Sequence, residues 1–272
     1  MTARTFRYSS VVNTSLLRAN PQHNFAQGSA MSIYPSRAVY TMIPKNACST
    51  LRLSIAIANG AIEDESQWHW IHHNNDSFRP SLAELATASY TFVVLRCPYA
   101  RLASCFLDKF VGRTPEAWNF HQLAKEAVDP AQLTFRQFCK AVCQPPLLTG
   151  NIHWRPQTDF LVYKSYDDYF CVELFDAAKA KIESRIGLKI ADARPLTRHG
   201  SGLHEELPVS EPHCDTEVWK IEARMHAGSR PHPASLYDAE LRALVARAYD
   251  KDLALFRGHF PGLGLFDEGE SA

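Results

Sequence analysis

Neither sign of charge is in excess: 29 Lys and Arg balance 29 Asp and Glu. A broad basic face for nucleic acid is therefore not expected, and any anion site must be local. No stretch approaches the roughly 18 consecutive apolar residues that a membrane span needs. The opening "MTARTFRYSSVVNTSLLRANPQHNF" lacks the apolar core of a secretory leader, so a soluble, unsecreted, cytoplasmic protein is expected. The seven cysteines are odd in number and include no C-x-x-C, which argues for reduced, buried thiols over a disulfide frame or a zinc knuckle. No internal repeat, low-complexity tract or flexible linker breaks the 272 residues, so one domain over 1–272 is expected. Residues 1–35, weakly periodic and rich in Ser, Asn and Pro, read as a loosely packed arm.

Glycine is missing from one place where it matters. In "VYTMIPKNACSTLRLSIAIANG" an apolar run, Ala38 to Ile43, passes through "PKNACST" into Leu51, Ile55 and Ala58 at helical spacing, with Gly60 as the stop. A strand, turn and helix of this kind presents unpaired N–H donors and a positive dipole end to an anion. A nucleotide triphosphatase loop, G-x-x-x-x-G-K-[ST], is excluded. Instead Pro44 stiffens the strand exit, Lys45 supplies a mobile ammonium, and Asn46, Ala47, Cys48, Ser49 and Thr50 supply consecutive N–H donors and hydroxyls.

A second turn has the same logic. "YTFVVLR" (Tyr90 to Arg96) is an apolar run suited to a strand buried on both faces, and Pro98 suits the first turn of the helix that follows. Tyr99, Leu102, Phe106 and Phe110 mark that helix's apolar face. Arg96 at the strand exit and Ser104 about two turns along can grip a further phosphate. Beyond it, helices are expected at Glu116 to Val128 and Phe135 to Val142, then one or two strands in "FLVYKSYDDYFCVELF". A helix capped by Asp176 and stopped at Gly187 comes next, and a capping box at Ser235 to Asp238 opens another. The polar segment 196–233 reads as a lid or ordered excursion. Strands alternating with helices imply an α/β fold, a three-layer sandwich around a mainly parallel sheet.

"IPKNACSTLR" and "FVVLRCPYARLASCFLDKF" resemble the two phosphate-binding motifs of sulfotransferases that use 3′-phosphoadenosine 5′-phosphosulfate (PAPS), in particular the branch containing Golgi carbohydrate sulfotransferases. "NIHWRPQTDFLVY", "YDDYFCVELFDAAKAKIESRIGL" and "DLALF" are similar to further segments of that branch, so the resemblance spans Ala38 to Phe256. It implies a P-loop-like PAPS sulfotransferase fold, with PAPS as co-substrate and 3′-phosphoadenosine 5′-phosphate (PAP) as product. It also implies that Lys45 and the backbone of Asn46 to Thr50 hold the 5′-phosphosulfate while Arg96 and Ser104 hold the 3′-phosphate. The acceptor would be a hydroxyl, or an amine, of a carbohydrate or small molecule, and no metal is required. Two departures stand out. Cys97 occupies a position usually Asp or His in the family, and the cysteine pair that Golgi members carry after the His-Trp segment is absent from Gln157 to Phe160.

Transfer to a hydroxyl needs a base, and a histidine is the usual choice. His73 and His72 lie in the excursion between the two motifs, His153 in "HWRPQ"; His69, His199 and Glu65 are lesser candidates. A metal reading of "WHWIHH" lacks a fitting Cys or carboxylate partner. A phosphatase-like nucleophile at Cys48 lacks an arginine six residues on, Arg52 being four away. Trp68, Trp70, Trp118 and Trp154 serve either an acceptor ring or core packing. Two alternatives complete the set: a kinase-like nucleotide-dependent phosphotransferase, and a nucleotide-binding module without catalysis.

Overall fold

The computed structural model describes residues 4–10, 16–124, 129–197 and 204–267. In chain order its helices and strands begin with α1 (Pro21–Gly28), β1 (Ala30–Ile33), β2 (Ala38–Thr41), α2 (Cys48–Ala58), α3 (Leu82–Thr87), β3 (Tyr90–Leu95) and α4 (Pro98–Cys105). They continue with α5 (Pro115–Leu123), α6 (Phe135–Val142), β4 (Asp168–Cys171), α7 (Phe175–Ile186), α8 (Arg194–Thr197) and β5 (Glu205–Glu206). The last are α9 (Val218–His226), β6 (Ser229–Arg230), α10 (Ala239–Ala248) and α11 (Asp250–His259).

The chain condenses into two compact units, Met1–Leu95 with Gln157–Arg198, and Arg96–Pro156 with His199–Ala272. The chain passes between the units three times, at 95/96, 156/157 and 198/199, so no single linker in the sequence marks the division.

The first unit is built on a sheet in the order β1-β2-β3-β4. β2, β3 and β4 run parallel and only β1 is antiparallel, so the sheet is mainly parallel as expected. One face carries Tyr40, Phe92, Val94 and Phe170 in a core shared with Leu51 and Ile55 of α2 and Ala178 and Ile182 of α7. On the other face the Thr41 and Tyr166 hydroxyls hydrogen-bond at 2.8 Å. There the Thr91 N–H also donates to the Asp167 carboxylate at 2.7 Å. The arm expected over 1–35 is corrected here: α1 and β1 are folded, and all four β1 residues are buried. With both faces covered, "AMSI" has no polar alternation to reveal it.

In the second unit Phe106, Phe110, Phe120, Phe135, Phe138 and Trp154 pack ring against ring. The helix from Pro98 buries the predicted face and widens into a π-helical stretch at Phe106–Val111. Much of 204–233 is ordered as β5, α9 and β6, with Val218 and Ile221 buried one turn apart. Residues 198–203, including the candidate His199, lie outside the described residues.

Two helix starts differ from expectation. Asp176 sits inside the first turn of α7, bonded to Lys179, while Leu174 is the cap residue. Asp238 caps α10 by accepting from the Leu241 N–H at 2.8 Å, and Ser235 lies in a preceding 3-10 turn. Asp176 lies two residues past the cap of α7, and Asp238 caps α10 three residues after Ser235, so a capping residue type in the sequence does not fix which residue begins the helix.

Candidate active site

Between β2 and α2 the backbone takes up conformations that usually call for glycine. Lys45 and Ala47 both adopt left-handed conformations, at φ 70° and φ 57°. Left-handed residues alternating with ordinary ones turn successive N–H groups inward, making a concavity for an anion. For non-glycine residues the conformation costs on the order of 1 kcal/mol each, so something must hold it.

The holder is Asn46, which is fully buried between them. Its Nδ2 donates to the Val94 carbonyl at 2.9 Å and to Gln157 Oε1 at 2.6 Å. Both acceptors belong to the same unit, Val94 being near the carboxyl end of β3. The Asn46 N–H donates to the Ile43 carbonyl at 3.3 Å. Asn46 thus positions the loop with its side chain, and its N–H is already engaged. That role was hidden in the sequence, where Asn46 reads as one more donor.

α2 opens with Cys48, and its first backbone bond runs from the Leu51 N–H to the Ala47 carbonyl at 3.1 Å. The N–H groups of Cys48, Ser49 and Thr50 therefore have no acceptor within the helix. Among the described residues no side chain caps this end. The dipole's positive end and these donors meet beside the half-buried Lys45, an arrangement suited to a phosphate or sulfate. Thr50 is buried and its Oγ1 accepts from the Ala193 N–H at 3.3 Å. One turn on, Ser54 Oγ accepts from the Ala191 N–H at 2.9 Å, so the first turns of α2 are tied to the segment before α8.

Arg96 and Ser104 both belong to the second unit. From Thr91 to Leu107 every residue is buried except Arg96, Ala100 and Ser104. Ala100 and Ser104, one turn apart, lie on one face of α4, while Arg96 precedes the helix by two residues, just past the end of β3. Cys97, buried, accepts from the Leu265 N–H at 3.3 Å through its sulfur.

The candidate bases fall in two environments. His69, His72 and His73 are exposed on the 3-10 segment Glu65–His72 and the residue after it, in the first unit with Lys45. Trp68 lies against His69 with ring centroids 3.7 Å apart and planes tilted by 31°, and it meets His72 edge-on at 5.4 Å. Glu65 is exposed beside them.

His153, in the second unit, is held. Its Nδ1 lies 2.9 Å from Asn151 Oδ1, and its Nε2 lies 3.7 Å from Glu116. Hydrogen bonds from Thr114 and the charge of Lys109 outweigh burial and keep the Glu116 carboxyl below the usual range. The adjoining Trp154 is fully buried and donates to the Leu147 carbonyl at 2.8 Å. Arg101, also buried, donates to the carbonyls of Arg155 and Ile152. The His-Trp segment is thus a packing hub. Of the other tryptophans, Trp68 and Trp70 pack against the sheet core and Trp118 is exposed.

Among the described residues no cluster of three His, Cys, Asp or Glu is placed to hold a metal ion, and no helix is long and apolar enough to cross a membrane. No curated protein and no solved structure matches the chain. A family model, described as the sulfotransferase family, matches residues 35–258. That span contains both strand exits, Lys45 to Thr50 and Arg96 to Ser104, and the chain belongs to the sulfotransferase family.

Proposed function

We propose that the chain transfers a sulfuryl group from PAPS to a hydroxyl of a carbohydrate or small-molecule acceptor, an amine being the variant. The observation that carries this reading is the glycine-free loop in which Lys45 and Ala47 are left-handed at the uncapped start of α2. In this scheme the 5′-phosphosulfate lies against Lys45 and the N–H groups of Ala47 to Thr50. The acceptor oxygen forms its bond to sulfur as the bond from sulfur to the phosphate oxygen breaks in line. Negative charge grows on the leaving oxygen of PAP, where a compact ammonium and preorganised N–H donors act most strongly. Arg96 and Ser104 take the 3′-phosphate, which distinguishes this donor from ATP. His73 or His72, both exposed, removes the acceptor proton, histidine being the usual general base for a hydroxyl. The seven free cysteines suit a reducing, cytoplasmic location.

Calorimetric titration of the chain with PAP and with magnesium ATP tests the donor, and acceptor screening with labelled PAPS then tests the transfer. PAP is expected to bind and ATP to bind far more weakly. Lys45→Ala is expected to lower turnover on the order of 10²–10³-fold, the usual cost of losing one transition-state donor, without altering the melting temperature. Magnesium-dependent ATP turnover would replace this reading with a kinase-like phosphotransferase. PAP binding without transfer to any acceptor would leave a nucleotide-binding module.

A further inference from the structure

The first turns of α2 carry a chemistry that the donor cradle does not use. Cys48 is the one cysteine of seven that is not buried. Arg52 stands one turn later, and positions i and i+4 of a helix share a face. Tyr40 of β2, fully buried, brings its hydroxyl to the same place. Burial raises the tyrosine's pKa, with the neighbouring Cys48 adding to the rise and Arg52 opposing it. Burial likewise lowers that of Arg52, against the pull of Cys48 and Tyr40. The three groups therefore sense one another.

Their hydrogen bonding is incomplete. Among the described residues, Tyr40 Oη, Arg52 Nε and Arg52 Nη2 are each buried with no hydrogen-bond partner. A buried donor left unpaired costs about 1–3 kcal/mol, and these atoms belong to two side chains that interact with Cys48, Arg52 through a side-chain hydrogen bond and Tyr40 through its charge. An oxygen attached to that sulfur is the smallest acceptor able to reach them.

We propose that Cys48 is a site of reversible oxidation by hydrogen peroxide, with Arg52 and Tyr40 receiving the sulfenyl oxygen. The thiol gives its proton to solvent, and the sulfur attacks one peroxide oxygen. An S–O bond forms as the O–O bond breaks. The sulfur loses two electrons, the peroxide gains them, and the departing hydroxide takes up a proton to leave as water. A small thiol reverses the change, first displacing water from the sulfenic acid to give a mixed disulfide, which a second thiol resolves. The other six cysteines are poor competitors. Burial pushes Cys143 up to about 12 and Cys171 up to about 11, and it raises Cys139 and Cys214 as well. Cys97 and Cys105 are also buried. A thiol held protonated and out of solvent is a weak nucleophile.

One consequence rests on the proposed function. Cys48 contributes an N–H to the donor cradle, so an oxygen drawn toward Arg52 disturbs the start of α2 and weakens PAP binding.

The test exposes the full chain to dilute peroxide with dimedone and maps the adduct by peptide mass spectrometry. Label is expected to concentrate on Cys48 and to fall roughly tenfold in Arg52→Gln, the worth of one charge-assisted hydrogen bond. Tyr40→Phe, which keeps the ring in the core, should fall in the same direction; its circular dichroism provides the folding control if Arg52→Gln does not fold. Label spread over the other cysteines, or an unchanged rate in folded Tyr40→Phe and Arg52→Gln, overturns the proposal. A second arm titrates PAP before and after peroxide: a roughly tenfold loss, restored by dithiothreitol and absent in Cys48→Ser, supports the consequence. Labelling with undiminished PAP affinity overturns the consequence alone. Labelling of a chain that never binds PAP upholds the thiol chemistry and removes the donor reading.

Discussion

After β2 the chain spends six residues, Met42 to Ala47, before a helix begins; after the parallel neighbour β3 it spends two, Arg96 and Cys97. The long exit contains two left-handed residues and is pinned by a buried asparagine. The short one goes directly into a helix with Pro98 in its first turn. A proline's fixed φ suits that turn and leaves no slack for wrapping. In the first exit, then, the backbone is the instrument and side chains hold it in shape. In the second the backbone is routine, and what it offers is side chains left accessible among buried neighbours, Arg96 at the turn and Ala100 and Ser104 on one face of α4. Substitutions should therefore act through different quantities in the two places.

The largest effect expected separates the candidate bases along the same line. Alanine at His73 or His72, both exposed, should lower kcat about 100-fold or more for whichever is the base, with PAP affinity unchanged. His153→Ala should instead destabilise the fold by about 1 kcal/mol, because the ring's contact with Asn151 is structural. Steady-state rates and thermal melts on the three variants decide it. A full loss of kcat in folded His153→Ala, with His72 and His73 dispensable, would move the base to the second unit.

For the short exit the expected effect is on binding and is specific to one phosphate. Arg96→Ala should weaken PAP by roughly tenfold or more, as befits a charge-assisted pair. It should leave adenosine 5′-phosphosulfate, which has no 3′-phosphate, bound as before. Equal losses for both nucleotides would mean that Arg96 shapes the turn and does not read the 3′-phosphate.

For the long exit the expected effect is on stability first. Asn46→Ala leaves Gln157 Oε1 and the Val94 carbonyl without the donor they share, at a cost of about 1–3 kcal/mol. It also frees Lys45 and Ala47 to leave their left-handed conformations, so PAP affinity should fall although Asn46 offers the anion no donor. Chemical denaturation and PAP titration on one preparation measure both. A loss of affinity with no loss of stability would make Asn46 a direct ligand.

Much of this was legible in the sequence because it depends on local pattern. Leu51 and Ile55 at helical spacing, Gly60 after them at φ 72°, and Tyr99, Leu102, Phe106 and Phe110 along one face declare their helices without tertiary information. What stayed hidden depends on partners far along the chain. Asn46 looks like a loop residue until Gln157, 111 positions away, accepts its hydrogen bond. β1 looks like coil because β2 pairs with it on one edge and packing covers both faces. Phe160 to Val162 are buried and apolar like a strand yet lie outside the sheet, where only burial is shared with β4 and no ladder forms. Lys45 and Ala47 disguise a turn whose φ angles ordinarily announce themselves as glycine.

That disguise yields the smallest and most direct test of the comparison. Ala47 sits at φ 57°, ψ 22°, where its Cβ crowds the backbone and a glycine would not. Ala47→Gly removes roughly 1 kcal/mol of that strain, but it gives the unfolded chain more freedom, which returns about 0.4–1 kcal/mol. The net gain should be a few tenths of a kcal/mol, about 1 °C in Tm. Ala47→Val, branched at Cβ, should lose more than 1 kcal/mol by the same crowding. At Ala100, in ordinary right-handed helix, the order must reverse: Ala100→Gly should destabilise by about 1 kcal/mol. Opposite signs for the same substitution at the two exits are what a backbone instrument and a side-chain display require. Matching signs would mean that the left-handed geometry around Lys45 is not the resting state of the loop, and the anion would then have to induce it.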